Sequence, residues 1–124
     1  MPKKVLIVDD EQDVLRYFEM LLRDNGYETI TAADGVEAME KIWSERPDLV
    51  TLDITMPNKS GVKVYREIKE NEQLKQIPVL VVTGVQPEFK KFISTRSQVP
   101  PPDGYLEKPV ALEDVLAEVR RLIG

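Results

Sequence analysis

The sequence predicts an α/β domain in which a doubly wound, five-stranded parallel sheet carries helices on both faces. The first observation is that short apolar runs alternate with amphipathic segments five times along the chain. The second is that three of the runs, KVLIV, DLVTLD and PVLVV, are largely continuous, as expected for interior strands buried on both faces. Repeated strand–helix units imply right-handed crossovers, which place helices on both sides of a parallel sheet.

Five strands are predicted from runs of apolar and β-branched residues. They cover residues 4–8, 28–31, 48–53, 78–82 and 104–106. The second strand reads ETIT, in which apolar and polar residues alternate, and this pattern predicts an edge strand with one solvated face.

Helices are predicted where apolar residues recur at helical spacing, over residues 12–24, 34–45, 60–70 and 111–123. Gly26 is a stop signal for the first helix, and Pro47 ends the second. Trp43 is expected to lie in the core on the second helix. A further segment, 86–99, is predicted as the least regular helix. Its apolar residues recur at helical spacing, but it runs into Val-Pro-Pro-Pro, which cannot form a helix interior.

Length and composition are those of one globular domain spanning residues 1–124. Of the 124 residues, 42% are hydrophobic and 31% charged, and a chain of this size buries enough surface for a core. The net charge of −5 argues against direct nucleic-acid binding. No apolar run approaches the ~20 residues that span a bilayer, and the N-terminal run ends in acids too early for a signal peptide. We expect a cytoplasmic protein without membrane contact, present as a monomer or weak dimer.

Two residue types are missing, and their absence excludes several mechanisms. The chain has no Cys, so it contains neither a disulfide nor a thiol nucleophile, and no His, so it has no imidazole base or metal ligand. Any metal must therefore be a hard cation held by oxygen atoms. Any nucleophile must be Asp, Glu, Ser, Thr, Lys or Tyr.

Polar residues follow four of the predicted strands. They are Asp9 and Asp10 after the first, Asp53 at the end of the third, Thr83 after the fourth and Lys108 after the fifth. Ligands of open parallel sheets bind at the carboxyl ends of the strands, so these side chains are expected to meet at one edge.

This set of side chains suits phosphoryl transfer. Three carboxylates at one edge cannot all stay ionised without a cation, and Mg²⁺ prefers such oxygen ligands. Lys108 and the Thr83 hydroxyl could bind phosphoryl oxygens, while Gly84 would let a ligand approach the backbone. Asp53 would then attack in line, and aspartyl phosphates are a known class of covalent intermediate.

Each residue also has a plainer interpretation when taken alone. Asp9 and Asp10 could end a strand and cap the first helix, Asp53 could be an ordinary loop acid, and Lys108 a solvated surface charge. Their joint arrival at one edge favours a site. Glu11 is expected to face solvent in the first turn of the helix, where the helix dipole favours a negative charge.

Four motifs carry a resemblance to a known family. They are VLIVDDE at 5–11, LDITMPNKSG at 52–61, VVTG at 81–84 and YLEKP at 105–109. With them, essentially the whole chain resembles a response-regulator receiver domain of two-component signalling, within the CheY-like superfamily. The resemblance implies a flavodoxin-like strand order of 2-1-3-4-5.

The resemblance also implies roles for individual residues. Asp53 would be the phospho-acceptor, and Thr83 and Lys108 would contact the phosphoryl group. Mg²⁺ would be held by Asp9, Asp10, Asp53 and the backbone carbonyl of Thr55. Tyr105 would be the aromatic switch residue, although it could serve packing alone. The Lys108–Pro109 bond would be cis, and Pro57 and Gly61 would shape the loop after the acceptor.

A receiver domain of this kind is a switch and not a turnover enzyme, since it catalyses only its own phosphorylation and dephosphorylation. The phosphoryl group would come from a sensor histidine kinase or a phosphotransfer protein, because this chain contains no His. Phosphorylation would alter the surface around segment 86–99, strand 104–106 and helix 111–123, and the downstream effector is unknown. We expect no output domain within residues 1–124, and the chain could be a stand-alone receiver or a receiver cut from a longer regulator or hybrid kinase.

The chain departs from the family pattern between Thr83 and Lys108, where VPPPDG stands in place of a Gly-Ala pair. With Lys90, Lys91 and Arg96, this segment forms a basic region that could meet an acidic partner, or it is only a longer loop. Val85 offers no hydrogen bond to water and predicts slow autodephosphorylation.

Two other functions remain open on the residues alone. A hydrolase could use Asp53 as a transient nucleophile, but it would need a further acid–base group. A flavodoxin-like cofactor binder would need a Gly/Ser/Thr-rich loop after the first strand, and that place is held by three acids.

Overall fold

The computed structural model describes residues 2–54, 61–84 and 102–124, with Thr83 described by its backbone only. In chain order, the elements are β1 (Lys4–Val8), α1 (Gln12–Asp24), β2 (Glu28–Ala32), α2 (Gly35–Glu45), β3 (Leu49–Leu52), α3 (Gly61–Glu70), β4 (Val79–Thr83), β5 (Gly104–Glu107) and α4 (Leu112–Ile123). All five predicted strands and the four regular helices are confirmed, with boundaries shifted by about one residue.

The five strands form one parallel sheet in the order β2-β1-β3-β4-β5. This is the predicted flavodoxin-like order, and it confirms the α/β doubly wound class. β2 lies at an edge, as its alternating sequence predicts, and its first residue, Glu28, is exposed. The strand order reverses between β1 and β3, so the carboxyl ends of these two strands flank the switch point where ligands of such sheets bind.

Two apolar cores cover the faces of the sheet. In β1, Leu6 and Val8 point into one core, while Val5 and Ile7 point into the other, and all four are essentially buried. The first core is closed by α2 and α3, and the second by α1 and α4. Burial on both faces explains why β1 needs a continuous apolar run and not an alternating one.

The helices end as the sequence indicates, but one core assignment is wrong. Gly26 has a φ of +91°, which suits the residue that follows the α1 C-cap. Trp43, expected in the core, is 42% exposed, and the Arg46 guanidinium lies 4.9 Å from its ring centroid. Ala38 and Ile42 bury the inner face of α2, and Trp43 lies about 100° round the helix from Ile42. The buried apolar face of α2 is therefore narrower than the spacing of apolar residues in the sequence suggested.

Segment 86–99 and the start of VPPPDG lie outside the described residues. The end of that motif is described: Asp103 precedes β5, and Gly104 is its first residue. Among the described residues, no helix combines the length and apolar character that a membrane crossing requires.

Candidate functional site

Asp9 and Asp53 lie side by side because β1 and β3 are paired neighbours. Val8 is opposite Leu52 in the parallel register, so the residues that follow each of them emerge together. The Asp53 N–H donates to the Val8 carbonyl at 3.0 Å, and the Asp9 N–H donates to the Ala32 carbonyl at 3.1 Å. Both aspartates are only 3% exposed. The sheet thus holds two carboxylates in a buried position at its carboxyl edge.

Asp9 also turns the chain towards α1. Its Oδ1 accepts the Glu11 N–H at 2.9 Å, one residue before the helix begins at Gln12. The N-cap residue is Glu11, and its side chain makes no capping hydrogen bond. The alternative in which Asp9 or Asp10 serves as the helix N-cap is therefore wrong, although Asp9 does stabilise the approach to the helix.

Asp10 completes a cluster of three acids with Asp9 and Asp53. One carboxylate oxygen from each residue lies within 4.8 Å of the other two. Asp10 is exposed, while the other two are buried, so the cluster opens to solvent on the Asp10 side. Three oxygen donors at this spacing, with no nitrogen or sulfur ligand in the sequence, fit a hard cation such as Mg²⁺.

Lys108 approaches this cluster from the end of β5. Its Nζ lies 2.8 Å from Oδ2 of Asp9, 3.6 Å from Oδ2 of Asp53 and 3.6 Å from Oε1 of Glu11. The lysine side chain is 21% exposed. The Lys108–Pro109 peptide bond is cis, as the family resemblance implied. The Lys108 ammonium therefore forms a direct hydrogen bond with Asp9. It lies near Asp53 but is too far away to form a hydrogen bond with that carboxylate.

The pKa shifts follow from burial and charge. Burial raises the pKa of the Asp9 carboxyl above its ordinary value of 3.8, and hydrogen bonds from Lys108 and the Glu11 N–H oppose this. The charge of Asp53 raises the same pKa further. Burial lowers the pKa of the Lys108 ammonium, but its hydrogen bond to Asp9 and the surrounding carboxylates outweigh this and leave it above 10.5. An added cation would relieve the unfavourable ionisation of Asp9.

Gly61 is required where α3 begins against the backbone that follows β3. A Cβ at this position would lie 2.3 Å from Cα of Ile54 and 2.4 Å from the carbonyl oxygen of Asp53. The Gly61 N–H donates to the Ile54 carbonyl at 3.2 Å, which closes the chain back onto the end of β3. Only glycine fits this close approach, so Gly61 packs directly against the backbone of Asp53 and Ile54.

Thr83 and Tyr105 lie on the two strands at the other side of the sheet. Thr83 ends β4 opposite Glu107 of β5, which brings its backbone to the same carboxyl edge as Asp53. Tyr105 pairs with Val81, is partly buried, and packs against the core formed with α2 and α3. The predicted contributions of Thr55, Pro57, Val85, Lys90, Lys91 and Arg96 lie outside the described residues.

An apolar cavity of about 540 Å³ adjoins Lys108 and Glu11. It lies between α1 and the start of α4, and its apolar lining comes from Val14, Tyr17, Phe18, Pro109, Val110 and Leu112. Tyr17 is 59% exposed and Leu112 is 41% exposed. The large apolar side chains of Tyr17 and Leu112 are therefore exposed to solvent in a cavity that Glu11 and Lys108 also line.

Two contacts are not evident from the motifs, one at the site and one at the opposite, amino edge of the sheet. Glu11 is exposed, as predicted, but it also approaches Lys108. Asp103 does more than form a turn: its Oδ2 accepts from the Val79 N–H at 2.8 Å and from Lys69 Nζ at 2.9 Å. The Lys69 side chain is only 6% exposed while that of Asp103 is 38% exposed, so the pair joins a buried ammonium to a carboxylate at the surface just before β5.

Comparisons with known proteins show which family the chain resembles. The family model for the response regulator receiver domain matches residues 5–120. The chain is 32% identical over 124 residues to the polar-differentiation response regulator DivK of Brucella anthropi, covering 98% of that protein. It is 33% identical to the transcriptional regulatory protein PhoP of Bacillus subtilis and 37% identical to MprA of a Mycobacterium species. The chain spans 49% and 51% of the length of these two relatives.

Solved structures show the same likeness. The chemotaxis response regulator CheY4 of Vibrio cholerae matches with a TM-score of 0.86 and 32% identity, over 99% of this chain and 100% of that one. The signal receiver domain of a signal transduction histidine kinase from Syntrophus aciditrophicus matches with a TM-score of 0.86 and 28% identity. That match covers 98% of this chain and 89% of that one.

Proposed function

The chain belongs to the response regulator receiver domain family of two-component signalling, and from this premise we propose that Asp53 accepts a phosphoryl group. The observation that carries the proposal is the position of Lys108, whose Nζ lies within 3.6 Å of both Asp9 and Asp53. A buried carboxylate with a cation beside it, next to two further acids, has the groups that an acceptor of phosphoryl groups needs.

The reaction requires a new bond between a carboxylate oxygen of Asp53 and phosphorus. The bond between phosphorus and the leaving atom of the donor breaks, and that atom keeps the electron pair. Acetate leaves acetyl phosphate as the anion, whereas an imidazole nitrogen leaving phosphohistidine takes up a proton from solvent. The Lys108 ammonium can move from Asp9 towards the phosphoryl oxygens, where it offsets their charge. The product is an acyl phosphate on Asp53, and its hydrolysis by water returns the free carboxylate.

Asp9, Asp10 and Asp53 would hold Mg²⁺, with the Thr55 carbonyl as a further ligand. When bound, the cation would neutralise charge on the transferring group. The observation that supports this assignment is the spacing of the three carboxylate oxygens, which lie within 4.8 Å of one another. Burial already disfavours the ionisation of Asp9, so a cation here also has an energetic reason to bind.

The donor would be a phosphohistidine on a sensor kinase or phosphotransfer protein, since the chain contains no His. The apolar cavity between α1 and α4 adjoins Lys108 and offers a partner exposed side chains such as Tyr17 and Leu112. A partner helix bound there would bring its phosphorylated side chain to the mouth of the site. In this scheme the chain catalyses only its own modification.

Phosphorylation would then act on the β4–β5 side of the sheet. Thr83 would bind the phosphoryl group, and Tyr105 would shift within its partly buried position against the core. Such a local change of charge biases a two-state surface. The effector is unknown. Two points stay predictions: an acidic partner for the region of Lys90, Lys91 and Arg96, and slow autodephosphorylation of Asp53 because Val85 offers water no hydrogen bond.

Intact-mass spectrometry tests the proposal. The protein is incubated with acetyl phosphate and Mg²⁺, in parallel with a sample containing EDTA. We expect the mass to increase by one phosphoryl group, with no increase in EDTA or in Asp53→Asn. Glu40→Gln, an exposed change on α2, controls for the loss of one negative charge and is expected to react like the wild type. An equal gain by Asp53→Asn would refute the assignment.

A further inference from the structure

Lys108 lies between two buried carboxylates and one exposed carboxylate. Its Nζ is 2.8 Å from Asp9 and 3.6 Å from Asp53, whose side chains are 4% and 3% exposed. On the solvent side, Glu11 lies 3.6 Å away with its side chain 64% exposed. The Lys108 ammonium therefore interacts with the buried carboxylates and also with the exposed carboxylate of Glu11 at the mouth of the site.

The backbone and the side chain of Glu11 have separate contacts. Its N–H donates to Oδ1 of Asp9, and its carbonyl accepts the Leu15 N–H at 3.1 Å in the first turn of α1. The side chain makes no capping bond to the helix. The backbone thus fixes Glu11 at the mouth of the site, and the described contact of its carboxylate is with Lys108.

From these contacts we infer that Glu11 is a positioning residue that restrains Lys108 and slows phosphorylation of Asp53 by small anionic donors. The inference rests on the function proposed above. To bind a phosphoryl oxygen on Asp53, the Lys108 ammonium must leave its resting position between Asp9 and Glu11. The Glu11 carboxylate opposes that movement by attraction, and it also repels an anionic donor that enters from solvent.

The size of the effect follows from exposure. Exposed ion pairs are weak, and a pair of this kind changes an equilibrium or a rate by up to about fivefold. Salt screens such a pair more than it screens buried charges. The restraint should therefore be modest at low ionic strength and should fade as salt is added.

The test compares phosphorylation rates of the wild type, Glu11→Gln, Glu11→Asp and Asp24→Asn, with acetyl phosphate and Mg²⁺. We expect Glu11→Gln to react about two- to fivefold faster at low salt, with the difference shrinking as ionic strength rises. Glu11→Asp keeps the charge and should stay close to the wild-type rate. Asp24→Asn makes the same change of charge at the far, exposed end of α1 and should react like the wild type.

A second donor separates positioning from a structural effect. Phosphoramidate carries less negative charge than acetyl phosphate, so the acceleration of Glu11→Gln should be smaller with this donor. Equal or slower reaction of Glu11→Gln, or equal acceleration of Asp24→Asn, overturns the inference while the function of Asp53 stands. If the wild type gains no phosphoryl group at Asp53 with either donor, the proposed function and this inference both fail.

Discussion

The ammonium of Lys108 is hydrogen-bonded to Asp9, at 2.8 Å, and stands 3.6 Å from Asp53. The resting site therefore directs the Lys108 ammonium towards Asp9 and not towards Asp53, the proposed acceptor. Because the three groups are buried or nearly so, any added or removed charge has a larger effect here than on the surface. The predictions below follow from this arrangement and from the packing that supports it.

The first prediction concerns the stability of the metal-free protein. Burial raises the pKa of the Asp9 carboxyl above 3.8. The protonated carboxyl therefore contributes its full stability below pH 3.8, and this contribution is lost as the pH rises through the raised pKa and the buried group ionises. In EDTA at pH 7, Asp9→Asn should therefore be more stable than the wild type, by about 0.5–1.5 kcal/mol. Urea unfolding from pH 3 to pH 7 should show this advantage growing with pH.

Mg²⁺ should reverse that order. A ligand that binds only the folded state stabilises it by about 2.7 kcal/mol when present at about one hundred times its Kd, and Asp9→Asn has lost one carboxylate that would bind Mg²⁺. Glu40→Gln serves as the control, because its exposed position should leave both the pH profile and the Mg²⁺ response as in the wild type. An Asp9→Asn variant whose advantage did not change with pH would contradict this account of Asp9.

The second prediction concerns the role of Lys108 in the reaction. Lys108→Met should lower the rate of phosphorylation by acetyl phosphate by about 100-fold or more, the usual cost of removing a charge-stabilising donor. Lys108→Arg keeps the charge but not the geometry, and its rate should fall between the two. Time courses of intact mass measure all three. A Lys108→Met variant as fast as the wild type would remove Lys108 from the mechanism.

The third prediction concerns Gly61. Because a Cβ would lie 2.3 Å from the Ile54 backbone, Gly61→Ala should destabilise the protein by about 3 kcal/mol or more, and it should displace Asp53. Gly84→Ala is the matched control for stability, since no residue that the structure describes lies within 4 Å of a Cβ there. Thermal unfolding compares the two variants, and equal unfolding midpoints would show that the contact at Gly61 is easily relieved.

The fourth prediction concerns the anchor at the start of β5. Asp103→Ala leaves Lys69, whose side chain is 6% exposed, without its carboxylate and removes the acceptor of the Val79 N–H. Because the Asp103 carboxylate is 38% exposed and Lys69 keeps the Ile77 carbonyl as an acceptor, we expect a loss of about 1–3 kcal/mol in the free energy of unfolding. Glu72→Ala breaks an ion pair whose acidic side chain is 84% exposed, and it should cost about 0–1 kcal/mol. Similar losses in both variants would mean that the Asp103 pair is no stronger than a surface pair.

Much of the fold could be predicted from sequence because burial on both faces leaves a clear pattern. The strand KVLIV is buried on both faces of the sheet, so the side chains on both faces must be apolar. Leu6 and Ile7 lie in opposite cores. Periodicity was less informative at the edge of a stripe: Trp43 follows the buried Ile42 directly but faces solvent. A helical pattern gives the direction of the buried face more reliably than its width.

The site was predictable to the extent that it is built from strand ends. Asp9, Asp53 and Lys108 meet because parallel strands share one carboxyl edge, which the alternation of elements already implies. The contacts of Glu11 and Asp103 were not predictable in this way. Each depends on a side chain that tertiary packing brings from a distant part of the chain, Lys108 in one case and Lys69 in the other.

The measurement that tests the central claim most directly is the chemical location of the phosphoryl group. Borohydride reduces an acyl phosphate to the alcohol, so a phosphorylated aspartate becomes homoserine, which peptide mass spectrometry identifies by position. After reaction with acetyl phosphate and Mg²⁺, we predict homoserine at position 53 and at no other aspartate. Homoserine at another position, or a phosphoryl group that resists reduction, would contradict the assignment of Asp53 as the acceptor.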